Sequence, residues 1–185
     1  EWAAGLPGVV GGAVVNNAGA HGGEIGAVLV DVELYDLEER RVVRWTRDVL
    51  APRYRMTELK AQPRPRRYVV LAARVRLLPG DPVRLLRTAE EYARWRREHQ
   101  PTGPCAGSVF TNPPGTYAGY LIERAGLKGF QIGRMRVSER HANFFLNLGG
   151  ASAAEALALL EAVQRQVAER FGIVLQPEIE IIGEP

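Results

Sequence analysis

The run from Gly8 to Gly19, with glycine at 8, 11, 12 and 19 and small residues such as Ala13 and Ala18 around Asn17, offers successive backbone N–H groups with few side chains in the way. Such a nest can hold a pyrophosphate or the edge of a flat ring. A tight glycine loop between packed elements has the same composition. Tyr54 and Arg55, with Lys60 five residues on, present a planar cation suited to a carboxylate and a point charge suited to a phosphate. Ser108 follows Gly107 in a proline- and glycine-rich stretch without a histidine beside it. A serine nucleophile is therefore a poor reading, and a hydroxyl that donates a proton is the better one. Glu178 and Glu180 alternate with Ile179 and Ile181, so the two carboxylates share one face of a terminal strand, for which solvent exposure is the plainer account. His21, His99 and His141 have no cysteine or second histidine at ligand spacing, so no metal site is expected.

Composition narrows the class of protein. Of 185 residues, 46% are apolar and 24% charged, the balance of a globular chain of one to two domains. Lys and Arg number 24 against 21 Asp and Glu, a net charge of +3, too small for a dedicated nucleic-acid binder. Nine arginines nevertheless fall between Arg40 and Arg67, which would welcome an anionic ligand; taken singly, most are accounted for as cations on solvated strand faces. The longest uncharged stretch, Trp2 to Gly23, is broken by seven glycines and cannot cross a membrane. No leader peptide is recognisable, and Cys105 is the single cysteine, so a reducing compartment, the cytoplasm, is expected.

The elements that must position these residues follow from periodicity. Ala27 to Tyr35 alternates as a strand, Asp36 to Arg40 turns, and a second strand runs through Val43 and Trp45. A polar loop spans Arg53 to Arg66, and Tyr68 to Leu78 resumes a strand. Asp81 followed by Pro82 starts a helix to about His99, with Leu86, Ala89, Ala93 and Trp95 or Arg96 at helical spacing. Pro101 to Gly115 reads as a long irregular loop carrying Ser108, Thr111 and Asn112, and a short helix from about Tyr117 stops at Gly126. Met135 to Ser138 and Ala142 to Asn147 read as strands. Ser152 and Glu155 form a capping box for a helix to Phe171 whose buried face is Ala156, Leu159, Leu160, Val163 and Val167. Ile173 to Leu175 and Glu178 to Ile182 complete the strands. The order is that of an α+β protein of two lobes, with the boundary between residues 80 and 81. Neither a P-loop nor a dinucleotide fingerprint is present.

Several segments together resemble the UDP-N-acetylenolpyruvoylglucosamine reductase (UDP-N-acetylmuramate dehydrogenase) family. Gly5-Leu-Pro-Gly-Val-Val-Gly-Gly-Ala-Val-Val-Asn-Asn-Ala-Gly-Ala-His-Gly22 is similar to its flavin-binding loop. Tyr54-Arg55-x-Thr57-x-x-Lys60 resembles its Tyr-Arg-x-Ser-x-x-Lys motif, Gly107-Ser-Val-Phe-Thr-Asn-Pro113 its Gly-Ser-Val-Phe-Lys-Asn-Pro motif, and Pro177-Glu178 its terminal Pro-Glu strand. Ala118 to Gly129 and Val137 to Asn143 add to the likeness. Thr57 stands for serine and keeps a hydroxyl, whereas Thr111 stands for lysine and removes a cation. The family begins with a further segment before Gly5 that this chain is expected to lack, and the region from Tyr68 to Gln100 implies the shorter type, without a tyrosine-bearing insertion.

The resemblance implies a fold in which residues 1–80 are the latter part of an α+β flavin-binding domain and residues 81–185 a smaller α+β substrate-binding domain. It implies FAD as cofactor, held by Gly8, Gly11, Gly12, Ala13, Asn17, Ala18 and Gly19, and NADPH as co-substrate. The substrate would be UDP-N-acetylglucosamine enolpyruvate, contacted by Tyr54, Lys60 and Asn112, with Arg55, Ser108 and Glu178 catalytic. Nucleic acid and a membrane span are not expected. Two rivals remain: another flavin-dependent oxidoreductase of the same architecture, and a non-catalytic nucleotide-binding module.

Overall fold

A computed structural model describes residues 1–63 and 66–183; Arg64 and Pro65, part of the expected polar loop, lie outside them. The chain forms two compact units, Glu1–Arg96 and Arg97–Pro185, each mixing helices with antiparallel sheet. The α+β expectation is borne out.

The first unit opens with α1 (Val10–Val15), a two-stranded hairpin of β1 (Gly19–Ala20) and β2 (Gly23–Glu24), and the helical turn α2 (Ile25–Val28). A three-stranded sheet follows, in the order β4 (Arg41–Thr46), β3 (Leu29–Asp36), β5 (Tyr68–Val75). Between β4 and β5 lie α3 (Arg47–Leu50) and α4 (Glu58–Ala61), the latter within the stretch expected to be a polar loop. Thr46 and Thr57 cap these turns with their hydroxyls, a local bond that hydropathy patterning does not reveal. The core is Val14, Leu29, Val32, Leu34, Leu50 and Leu59. α5 (Pro82–His99) begins as expected, with Asp81 Oδ1 accepting from the amides of Val83 and Arg84. Its packed stripe differs from the expected one. No residue of α5 is fully buried; Ala89, Tyr92, Ala93 and Arg96 are half-buried, whereas Leu86 is exposed. Tyr92 stacks on His21 with ring centroids 4.0 Å apart, and Trp95 meets the same ring edge-on, so aromatic contacts fix this helix.

Several arginines of the cluster are held in ion pairs, among them Arg44 with Glu33, Arg53 with Glu58 and Arg67 with Asp36. The last closes the β3–β4 hairpin. Arg67 reaches Asp36 with two nitrogens at 2.8 and 2.6 Å, while the amides of Glu38 and Glu39 donate to Oδ1. The guanidinium, aided by those amides and against the effect of burial, lowers the Asp36 pKa from 3.8 to about 2. Because the folded-state value lies below the ordinary one, this stabilisation is complete above about pH 4 and is lost as the pH falls toward 2. Asp36→Asn is expected to be less stable at neutral pH and to show a shallower loss of stability between pH 4 and 2, checked by acid titration followed by circular dichroism.

The second unit holds α6 (Ala118–Arg124), the sheet β6 (Gln131–Ile132), β7 (Met135–Val137), β8 (Phe145–Asn147), and α7 (Ala153–Phe171). The capping box of Ser152 and Glu155 and the left-handed Gly172 bound α7 as read from the sequence. Of its expected buried face, Leu159, Leu160, Val163 and Val167 are buried; Ala156 is half-buried and Ala162 joins them. Two expected strands are not regular strands. Residues 173–182 make only an isolated bridge, Phe110 with Pro177, and β8 starts at Phe145 because His141 turns the chain before it.

Candidate functional site

In the first unit, the glycine-rich segment and the Tyr54–Lys60 loop are bonded to one another. Asn17 is 1% exposed and left-handed at φ 44; its Nδ2 donates to Arg53 O at 2.9 Å and its Oδ1 accepts from Gly26 N at 2.8 Å. Thr57 Oγ1 donates to Val15 O at 2.6 Å, and Arg55 Nη2 to Gly19 O at 2.9 Å. Lys60 Nζ donates to Arg55 O at 3.1 Å, across a residue that itself has φ 54. Arg55 is half-buried, with its guanidinium carbon 5.1 Å from the ring centre of the exposed Tyr54. The guanidinium is therefore held by a carbonyl on one side and an aromatic face on the other, which orients its planar fork before any anion arrives.

Residues 10–15 of the expected nest form α1. The amides of Ala13, Asn16, Asn17 and Ala18 donate to Val9, Gly12, Val14 and Ala13 carbonyls within α1 and its end, so Ala13, Asn17 and Ala18 do not offer their N–H groups as expected. The glycines divide by cause. A side chain at Gly19 would place its Cβ 2.7 Å from Gly23 O and 2.9 Å from Glu24 Cβ, so hairpin packing alone demands glycine there. At Gly12 the nearest atom is 3.9 Å away, and at Gly8 nothing lies within 4 Å. At Gly8 the φ of 121 already calls for glycine; at Gly12 the protein interior gives no steric reason for one, and the bare surface there is one that a side chain would fill.

In the second unit the strap from Ser108 to Asn112 is fixed on both edges, unlike the irregular loop expected. Ser108 bridges Phe144; Val109 N donates to Asn143 O at 2.8 Å, and Glu178 N to Val109 O at 2.8 Å. Thr111 N donates to Gln176 O at 2.9 Å, and Asn112 Oδ1 accepts from Ala118 N at 3.0 Å, capping α6. Ser108 and Glu178 are both half-buried and lie on adjacent, antiparallel backbone segments. The sequence-expected catalytic trio is thus carried as Arg55 in one unit and Ser108 with Glu178 in the other. A cavity of about 350 Å³ beside the strap is bounded mainly by apolar residues, Cys105, Val109, Phe145, Leu160 and Ile179 among them.

Asn143 was missed as a functional candidate. It is buried, and its carboxamide bonds both backbone groups of Phe110; a polar residue between the apolar Ala142 and Phe144 was the available signal. His141 beside it accepts from Asn143 N at 3.2 Å, and burial, chiefly, lowers its pKa from the usual histidine value. Among the described residues there is no cluster of three or more histidines, cysteines or carboxylates that could hold a metal, and no helix long and apolar enough to cross a membrane.

Residues 99–182 match the model of the UDP-N-acetylenolpyruvoylglucosamine reductase C-terminal domain. The whole chain is 45% identical over 185 residues to the UDP-N-acetylenolpyruvoylglucosamine reductase of Rubrobacter xylanophilus, covering 61% of it. It is 46% identical to that of Chloroflexus aurantiacus, with 98% of this chain and 61% of that protein aligned. Among solved structures, the UDP-N-acetylenolpyruvylglucosamine reductase of Thermus caldophilus superposes with a TM-score of 0.81 at 35% identity, over 95% of this chain and 61% of that one. The chain spans about three fifths of the length of these relatives.

Proposed function

From the likeness of the chain to UDP-N-acetylenolpyruvoylglucosamine reductases, we propose that it belongs to that family and takes part in the NADPH-dependent, FAD-mediated reduction of UDP-N-acetylglucosamine enolpyruvate to UDP-N-acetylmuramate. This is a step of peptidoglycan precursor synthesis in the cytoplasm. The observation that carries the reading is that Arg55 and Ser108 each stand in a segment fixed by hydrogen bonds from distant parts of its own unit. On this reading residues 1–80 contribute to the flavin-binding domain and residues 81–185 form the substrate-binding one. Only β5 and α5 occupy the region from Tyr68 to His99, which supports the shorter type of the family.

The open surface at Gly12, with Gly8 and Gly11 beside it in sequence, fits a flat cofactor that must approach backbone closely, and Arg55, bonded to Gly19, fits the anionic substrate. A flavin held there would supply the redox chemistry, passing hydride from NADPH to C3 of the enolpyruvyl ether. The remaining work falls to this chain. As charge spreads from C2 into the carboxylate, Arg55 pairs with its two oxygens through a planar fork. Ser108 gives its hydroxyl proton to C2, an acid strong enough only because an enolate is a strong base. Glu178, on the segment bonded to Val109, acts at the same carbon by polarising the enol or relaying a proton. Lys60 supports Arg55 through its carbonyl, and Asn112 supports α6, alongside any contact to the sugar nucleotide.

A visible spectrum of the purified protein tests this. A yellow preparation that bleaches with NADPH and regains colour with the enolpyruvyl ether is expected. Colour that bleaches but does not return identifies another flavin oxidoreductase, and a colourless protein with salt-sensitive polyanion binding identifies a non-catalytic module.

A further inference from the structure

Asn143 is 3% exposed, and its carboxamide is folded against a single residue. Phe110 N donates to Oδ1 at 3.0 Å, and Nδ2 donates to Phe110 O at 2.8 Å. The backbone carbonyl of Asn143 also accepts from Val109 N at 2.8 Å. One residue therefore makes three hydrogen bonds to the two residues that directly follow Ser108. The Phe110 ring, 1% exposed, is locked into the core of this unit, so the strap has an apolar anchor and a polar one at the same position. On the opposite edge, Gln176 and Glu178 bond Thr111 and Val109. A shift at Phe110 would be passed to Ser108 on one side and to the segment carrying Glu178 on the other.

Resting on the reading just given, we infer that Asn143 is a positioning residue for proton delivery: its carboxamide sets the Val109–Phe110 backbone and through it the place of the Ser108 hydroxyl. The role requires a donor and an acceptor on one short arm. An amide has both, a carboxylate has acceptors alone, and a hydrocarbon of the same bulk has neither. The backbone of Asn143 is itself held, since His141 Nδ1 accepts from its main-chain N–H. Gly119 lets α6 close over this turn: a Cβ there would lie 3.1 Å from the His141 ring. Asn143 touches backbone, so its effect on chemistry is one of alignment, to which proton transfer is steeply sensitive.

The test compares wild type with Asn143→Asp and Asn143→Gln in flavin-loaded protein, using stopped-flow half-reactions and amide exchange at Val109 and Phe110. For Asn143→Asp, bleaching by NADPH is expected within about twofold of wild type, while colour recovery at saturating enolpyruvyl ether slows by about tenfold or more, with KM nearly unchanged. Exchange at Phe110 should accelerate. Asn143→Gln keeps both groups on a longer arm; it carries the same test if the aspartate variant does not fold, again with slowed recovery and unaltered bleaching. Recovery at the wild-type rate in the variants, or equal slowing of both half-reactions, overturns the inference. A wild type whose colour the ether does not restore overturns the functional reading itself, and the role of Asn143 with it.

Discussion

Replacing Ser108 with alanine is expected to leave bleaching by NADPH intact and to slow colour recovery with the enolpyruvyl ether by roughly 10²- to 10⁴-fold, the range a positioned general acid contributes. The substitution removes one oxygen and little else. The strap is bonded through the backbone of Val109, Phe110 and Thr111, none of which alanine alters, and Gly107 keeps the left-handed turn at φ 80 that leads into it. The melting temperature should therefore stay near that of wild type. A loss confined to the second half-reaction assigns the hydroxyl to protonation of C2. Equal losses in both would show that Ser108 serves the cofactor's environment and would withdraw the acid assignment.

The two segments carrying chemistry were legible for different reasons. Glycine spacing and the Tyr54–Arg55 pair stood out because their residue types are uncommon together. What the sequence could not reveal was which of these glycines answer to internal packing. Gly19 does, at 2.7 Å from a carbonyl, and Gly12 does not; both look alike in one dimension. The elements with strong period were read correctly, from the β3–β4 hairpin to the capped α7. The failures lie where side chains bond to backbone. Thr57 turns a supposed loop into α4, Asn143 makes the Ser108 strap rigid, and the alternation of Glu178 to Ile182 gives no regular strand because the pairing is a short bridge to Phe110. Propensity and hydropathy carry no trace of bonds between residues tens of positions apart. Asn17 illustrates the same gap: expected as a cofactor ligand, it spends both ends of its carboxamide joining Arg53 to Gly26.

Changing Arg55 to lysine is expected to reduce kcat/KM for the enolpyruvyl ether by about 10- to 100-fold, corresponding to the loss of one charge-assisted hydrogen bond of about 1.5–3 kcal/mol. The wild-type guanidinium does two jobs at once. Nη2 donates to Gly19 O at 2.9 Å and the guanidinium carbon lies 5.1 Å from the Tyr54 ring centre, and a planar guanidinium can meet both oxygens of a carboxylate at once. An ammonium can replace the bond to Gly19 or meet the substrate, but its three donors are tetrahedral and cannot present the paired fork. The backbone at φ 54 is unaffected, since Lys60 bonds the carbonyl of this residue and Thr57 and Asn17 hold the flanking chain. Folding should thus survive, and a thermal melt checks it. The division of the loss is informative: a fall in kcat with KM little changed places the guanidinium on the developing enolate, whereas a rise in KM alone makes it a uniform binder of substrate and transition state. Unchanged constants would remove Arg55 from the reaction.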